Sequence, residues 1–239
     1  MKLYFSALLL IAVMAIPCRA EWQVAAYLGD AHTQNAGVHI RQQPLGTDLL
    51  FRDVSYRGES FESPQYYGLR GGNFFTEHFG LETEFIHLKV FANLGRSVPT
   101  RGTVAGVPTS GSFPMSTFVQ RFSVSHGMNM LLVNFVARKQ FFPAPQERLG
   151  RLLINGRAGV GATIPRAETE IMGLRDEHYQ WARVALQFAG GAEVRLWRKL
   201  YALGEYKYTH SDERFRVSGG DATTLQRSHH GVFGLAIHF

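Results

Sequence analysis

Alternation of apolar with polar or small residues, at a period of two, runs through eight segments of this 239-residue chain. A period of two is that of a β-strand, whose successive side chains point to opposite faces. The segment 228–239 shows it clearly, with an apolar face of Phe233, Leu235, Ile237 and Phe239. The chain must therefore form about eight strands that each have one broad apolar face.

The eight predicted strands lie at about 22–29, 66–75, 80–91, 125–139, 151–164, 183–197, 201–211 and 228–239. The connections between them alternate in length. Four connections are long, at 30–65, 92–124, 165–182 and 212–227. They alternate with three short ones, at 76–79, near Pro143 and at 198–200. Short turns at one end and long loops at the other are typical of outer-membrane barrels.

The faces opposite the apolar ones carry charges of both signs: Arg70, Arg138, Arg157, Glu193, Arg195, Glu205 and Lys207. A lipid environment places the apolar faces outside and the charges in a narrow lumen, where they pair. We therefore predict an all-β protein, an eight-stranded antiparallel transmembrane up-and-down β-barrel with four long extracellular loops. The alternative is a soluble lipocalin-like or sandwich protein of the periplasm, with the charged faces outward.

The N-terminus has the composition of a secretory signal peptide. Lys2 precedes a mostly apolar run, Leu3–Pro17, which is too short for a membrane anchor. We predict a signal peptide at 1–20, cleaved after Ala20, and a single barrel domain at 21–239.

Cleavage would remove the only cysteine, Cys18, so that the exported chain would have no disulfide. Lipidation of Cys18 is the alternative. The net charge of +6 comes from scattered basic residues, which disfavours nucleic acid as a partner. We expect an outer-membrane monomer that contacts anionic lipopolysaccharide, and a C-terminal strand ending in Phe239 that the barrel assembly machinery recognises.

The richest stretch of reactive side chains is 57–70, which leads from the first long loop into the second strand. Its carboxylates and tyrosine could bind a divalent cation or act in acid–base catalysis. We assign Glu59 and Glu62 as candidate metal ligands, Glu59 and Tyr66 as candidate catalytic groups and Arg70 as a substrate-binding group. The alternative is a structured loop without chemistry.

His87 and Lys89 lie toward the outer end of the third strand. Their position opposite Ile86 and Leu88 predicts that they point into the lumen, with His87 as a base or metal ligand and Lys89 binding substrate. Because Glu82 and Glu84 would then face lipid, we expect a bulge between Glu84 and His87. The alternative for His87 is a hydrogen-bonded lumen residue.

Two further residues, Asn134 and Lys207, have interior parity and are candidates for substrate binding, and His126 shares the interior parity of Asn134. The pair His210 and Ser211 resembles part of the site of the outer-membrane lipid A deacylase, the lesser alternative, and that resemblance implies a histidine, a serine two positions further on and a glutamate that orients the histidine. Adjacent strand residues point to opposite faces, which disfavours that alternative.

Four stretches, Glu59–Arg70, His87–Phe91, Gly127–Asn134 and Gly204–Lys207, resemble small outer-membrane barrels of proteobacteria described as lipid A oxidase-like. The resemblance implies oxidation of the proximal glucosamine of lipid A to aminogluconate, with oxygen and a divalent cation. It carries over no catalytic set, so the candidate residues rest on the sequence pattern alone. A non-catalytic structural or binding barrel and a narrow pore remain open as alternatives.

Overall fold

The computed structural model describes residues 21–143, 146–181 and 183–239, so the predicted signal peptide lies outside the described residues. Most of this chain is β-strand. The strands are β1 Glu21–Thr33, β2 Ala36–Gln42, β3 Thr47–Val54, β4 Tyr56–Arg57, β5 Tyr67–Phe74, β6 Phe79–Ala92, β7 Ser97–Val104, β8 Val107–Pro114, β9 Val119–Phe141, β10 Leu152–Ile171, β11 Leu174–Tyr179, β12 Val184–Trp197, β13 Leu200–Val217 and β14 Gly220–His238. Two 3-10 turns lie at Gln43–Leu45 and Met115–Thr117.

Eight of these strands close into a ring in the order β1, β5, β6, β9, β10, β12, β13 and β14. The ring closes because β1 pairs antiparallel with β14, from Gln23 opposite His238 to Thr33 opposite Ser228. Closure pairs the backbone groups that a lipid environment would leave unsatisfied at a sheet edge. The predicted eight-stranded antiparallel barrel is confirmed.

The long connections are themselves built largely of strands. Beyond the barrel, β2, β3, β7 and β8 continue the sheet from the outer end of β14, and β11 folds back on β10. The predicted fourth loop, 212–227, is a continuation of β13 and β14 to a turn at Ser218 and Gly219. The predicted strands end too early because the upper parts of β13 and β14 lie above the lipid. There the outer face need not be apolar, and the alternation on which the prediction rests is lost.

The outer wall is apolar. Side chains that are roughly half exposed form a belt around it: Val24, Leu69, Leu81, Leu131, Val133, Phe135, Val160, Phe188, Tyr206, Phe233 and Leu235. Charged side chains are buried inside instead. This arrangement is the inverse of a soluble barrel and is that of a membrane-spanning one, which excludes the soluble alternative.

None of the helical segments in the described ranges is long and apolar enough to cross a membrane.

The lumen is filled by an ion-paired network. Arg70 donates to both carboxylate oxygens of Glu205, at 3.1 and 3.0 Å. Lys207 pairs with Glu84 and lies 2.8 Å from Glu205, and Arg157 also pairs with Glu205. Such a plug leaves each charge compensated and disfavours the pore alternative.

A second group of paired charges fills the end of the lumen near the termini. Arg138 donates to both oxygens of Glu21, at 2.7 and 2.9 Å. His238 lies between two carboxylates, 2.8 Å from Glu21 and 2.8 Å from Glu193. The barrel is thus held from inside along its length by charge pairs that join distant strands.

The predicted place of the bulge in β6, between Glu84 and His87, is wrong, and with it the predicted interior position of His87. Glu82 and Glu84 are buried in the lumen, and His87 has the outward parity of Leu81 and Phe85. The register shift lies later than expected, between Leu88 and Val90. The prediction failed because regular alternation in β6 already places Glu84 inside beside Lys207, and the same regular strand turns His87 outward.

Candidate functional site

Three of the predicted substrate-binding residues lie together in the lumen, where each contacts a neighbouring carboxylate. Arg70 and Lys207 belong to the network around Glu205, and Asn134 donates to Glu84 at 2.8 Å and to Glu82 at 3.2 Å. All three are buried. These contacts show that the three side chains compensate the buried carboxylates of the lumen. Their role in binding substrate stays a prediction.

The loop before β5 closes the outer end of the lumen. Lys89 Nζ lies 3.5 Å from Glu59 Oε2 and donates to the backbone oxygen of Glu62 at 3.1 Å. Tyr66 is buried below them, with its hydroxyl 3.1 Å from Nδ1 of His230. The structure brings Glu59 and Lys89 together, away from Arg70, and the metal role of Glu59 and Glu62 stays a prediction.

His87 has outward parity but is buried, 6% exposed, with one ring nitrogen unpaired. Its ring stacks on Tyr67 at 5.1 Å between centroids, and its Nδ1 lies 2.8 Å from Asn129 Oδ1. Its Nε2 has no hydrogen-bond partner among the described residues. Gly127 adopts a φ of 114°, and a Cβ there would overlap the His87 ring. Because Nε2 is itself buried, a ligand that exchanges a proton there must first displace neighbouring side chains.

A bulge beside His87 turns two further polar side chains to the outer wall. Between the pairs Pro165–Met128 and Glu168–Ser123, β9 has two more residues than β10. His126 therefore leaves the interior position predicted for it, and its side chain is 49% exposed. Its Nδ1 lies 2.5 Å from Glu168 Oε1.

Ser125 donates to the same carboxylate, and its Oγ lies 3.0 Å from His126 Nδ1. Serine and glutamate thus meet the same imidazole nitrogen. A catalytic triad needs them on opposite nitrogens, so this trio is not a serine-hydrolase relay.

Glu177 on β11 lies directly opposite Glu168 on β10. Arg121 pairs with Glu168 at 2.6 Å, and Arg166 and Arg175 pair with Glu177 at 2.6 and 3.0 Å. We name the resulting group the outer-wall cluster: Arg121, Ser125, His126, Arg166, Glu168, Arg175 and Glu177. Its three arginines and two glutamates give a net charge of +1, with His126 neutral.

The outer-wall cluster lies just above the lipid belt. Along the outer face of β10, apolar Val160 and Ile164 are followed by Arg166 and Glu168. Four residues of strand separate Ile164 from Glu168 by roughly 13 Å. The nearby Tyr179 and Trp181 are exposed, as aromatic side chains at a membrane interface are. The cluster therefore stands at the level of the lipid headgroups.

The donors around Glu168 predict a loss of stability in acid. Burial raises the pKa of Glu168, but hydrogen bonds from Ser125, Arg121 and His126 outweigh burial and hold this pKa below its usual 4.5. A carboxyl of lowered pKa stabilises the fold fully above its unfolded-state pKa, and this contribution is lost as the pH falls through the folded-state pKa. We expect Glu168→Gln to be less stable than wild type at neutral pH, with the difference shrinking in acid.

Unfolding free energies of wild type and Glu168→Gln, measured from neutral pH to below about 4.5, check this expectation. A difference that stays constant over the whole pH range would contradict it.

Most of the outer-wall cluster has no recognisable signal in the sequence. Glu168 and Glu177 fall in a predicted loop, and no motif marks Ser125. Only cross-strand pairing and the bulge in β9 bring them together. The deacylase pair is separated as expected, with Ser211 buried in the lumen and His210 on the outward face of β13.

The chain matches no model of a known protein family. No curated protein is significantly similar to it in sequence. Among solved structures, it is similar to the outer membrane protein OprG from Pseudomonas aeruginosa, with 11% identity, a TM-score of 0.47 and coverage of 93% of this chain and 97% of that one.

It is also similar to the outer membrane protease OmpT from Escherichia coli, with 8% identity, a TM-score of 0.46 and coverage of 92% and 97%. A third similar structure is the attachment invasion locus protein Ail of Yersinia pestis, with 10% identity, a TM-score of 0.39 and coverage of 94% of this chain and 100% of that one. Similarities this distant support no activity, substrate or partner.

The closed ring, the apolar outer wall and the charged lumen are the features of an integral outer-membrane β-barrel.

Proposed function

We propose that this barrel modifies the sugar headgroup of lipid A, and that the reaction takes place on the outer wall beside His87. The observation that carries the proposal is the exposed His126 at headgroup level on the outer wall, with the buried and unpaired Nε2 of His87 below it. Polar side chains on the lipid side of a barrel are unfavourable unless they serve binding or chemistry.

The arginines of the outer-wall cluster suit the phosphates of lipid A. Arg121 and Arg175 have side chains that are 51% and 62% exposed, so their remaining donors are open to a ligand. Guanidinium groups bind phosphate oxygens through paired hydrogen bonds. A bound headgroup would therefore be oriented by its phosphate, with its sugar toward His87.

His87 is the candidate for proton transfer, because Asn129 fixes Nδ1 and leaves the buried Nε2 unpaired, so that a sugar reaches it by displacing the side chains above it. The resemblance to lipid A oxidase-like proteins favours oxidation of the proximal glucosamine, with oxygen as the oxidant and a divalent cation as the cofactor. In such a reaction His87 would accept the proton of a sugar hydroxyl. A positioned base of this kind contributes about 10²- to 10⁴-fold to a rate.

Mass spectrometry of lipid A from cells with and without the protein tests the proposal. We expect a gain of one oxygen atom on the sugar with wild type and a loss of this product, by about 10²-fold or more, with His87→Ala. His39→Ala is the matched control, because His39 lies in the extracellular sheet and pairs with Asp48 at 2.6 Å.

An unchanged lipid A, with the protein confirmed at the cell surface, would contradict the proposal and favour the non-enzymatic binding or structural barrel. Loss of an acyl chain would favour the deacylase alternative. Full activity of His87→Ala would remove His87 from the site.

A further inference from the structure

Three side chains of the outer-wall cluster have the atoms that a metal ion binds. His126 on β9, Glu168 on β10 and Glu177 on β11 offer a ring nitrogen and two carboxylate oxygens that all lie within 4.8 Å of one another. Across the described ranges, this is the one group of three or more such residues close enough to share an ion. Each ligand comes from a different strand, so the fold assembles the group.

Two local features of the backbone serve this assembly. The bulge in β9 turns His126 from the lumen side to the outer wall, and Gly127 next to it adopts a φ that side chains rarely tolerate. Folding β11 back on β10 sets Glu177 opposite Glu168. Like charges directly opposite on neighbouring strands are destabilising, so this pairing needs positive charge nearby.

The positive charge now present comes from arginines at the periphery. Arg121 binds Glu168 through Oε2, while Oε1 of the same carboxylate faces His126. Glu168 is almost fully buried, with its side chain 3% exposed, although His126 is open to solvent. A buried carboxylate that presents one oxygen to an accessible imidazole is the arrangement that a partly open metal site needs.

We propose that His126, Glu168 and Glu177 bind one divalent transition-metal ion, of the class of Mn²⁺, Fe²⁺ or Zn²⁺. The mixed nitrogen and oxygen donors favour this class over Mg²⁺ and Ca²⁺, which prefer oxygen ligands alone. Three protein ligands leave coordination positions free for a ligand from outside. The inference names a cofactor for the site of the proposed function and rests on that function only for its use in the reaction.

This site differs from the metal site predicted from the sequence, which consists of Glu59 and Glu62. Glu59 pairs with Arg57 and Lys89, and Glu62 contributes a backbone oxygen to Lys89. Among the described residues neither of these two glutamates contacts an imidazole, whereas Glu168 of the outer-wall cluster does so at 2.5 Å. A metal in the outer-wall cluster and a metal in the loop before β5 can be distinguished, because each predicts loss of metal binding in a different set of variants.

Direct binding of Mn²⁺ and Zn²⁺ to the purified, folded barrel in detergent tests the proposal without lipid substrate. We expect one ion per chain by calorimetry, and slow-tumbling Mn²⁺ signals by electron paramagnetic resonance. His126→Ala and Glu177→Gln should each weaken binding at least about tenfold. Asp48→Asn is the control, because it alters an exposed carboxylate beside His39 and should leave binding unchanged.

Binding that survives in His126→Ala/Glu177→Gln would overturn the proposal, as would the lack of any bound ion in wild type. Loss of binding in Glu59→Gln/Glu62→Gln, with His126→Ala unaffected, would place the metal in the loop instead. The altered mobility of a folded barrel on unheated gels identifies variants that fail to fold. If His126→Ala fails, His126→Gln takes its place.

The metal inference and the proposed function can fail separately. One bound ion with unchanged lipid A would contradict the lipid-modifying function and leave the metal site intact. Modified lipid A without a bound ion would overturn the metal site and leave the function.

Discussion

Replacing Arg70 by methionine is expected to lower the free energy of unfolding by about 3 to 5 kcal/mol. Arg70 is buried, with its guanidinium 3.0 Å from Glu205 and 3.5 Å from Glu84. Methionine fills much of the volume but leaves these carboxylates in the lumen with less positive charge. The cost arises from the uncompensated charges rather than from a lost contact. Urea unfolding of the barrel in lipid vesicles measures it.

Arg214→Met provides the matched control. Arg214 lies outside the lumen, is 57% exposed and pairs with Asp221 at 3.1 Å. Exposed pairs contribute about 0 to 1 kcal/mol, so this variant should unfold nearly as wild type does. Equal losses for the two variants would show that the lumen network does not hold the barrel together.

Introducing an arginine at Val133 is expected to cost about 2 to 4 kcal/mol and to reduce insertion into membranes. Val133 is 53% exposed in the middle of the apolar belt, on the outer face of β9. In water an exposed valine tolerates a charge easily. In a bilayer the same position faces hydrocarbon, where the guanidinium loses its hydration. Folding yield and unfolding free energy in vesicles measure the effect.

Val107→Arg is the control for this prediction. Val107 is 63% exposed on β8, in the sheet above the belt, where water surrounds the side chain. It should fold like wild type. A neutral effect of Val133→Arg would contradict the membrane-spanning assignment, because exposure alone does not distinguish the two positions.

The number, direction and lipid-facing sides of the barrel strands could be read from the sequence because each lipid-facing strand must alternate. Val133 and Phe135 point outward and Asn134 inward, as the pattern predicts. The pattern fails on β6, where it predicts a bulge before His87 and an interior position for His87, whereas the register shift comes after Leu88. Period two gives two sets of residues but does not say which set faces inward, and partners on distant strands decide that.

The outer-wall cluster could not be predicted for a different reason. His126 changes sides at a bulge, and a bulge leaves no reliable mark in the sequence beyond a glycine such as Gly127. Glu168 and Glu177 meet because β11 pairs with β10 within a stretch that looks like a loop. Such contacts depend on register between strands, which local sequence does not determine.

The extracellular sheet ends in an exposed edge strand, β8, whereas the closed barrel has no edge. In the part of the chain that the structure describes, the ring has no free strand, but β8 pairs only with β7 and so carries backbone groups open to another chain. Pro108 and Pro114 lie on β8 and lack the N–H that a neighbouring strand would bind, and Gly111 weakens its extended form. Edge prolines of this kind prevent neighbouring copies from joining into a continuous sheet on a crowded cell surface.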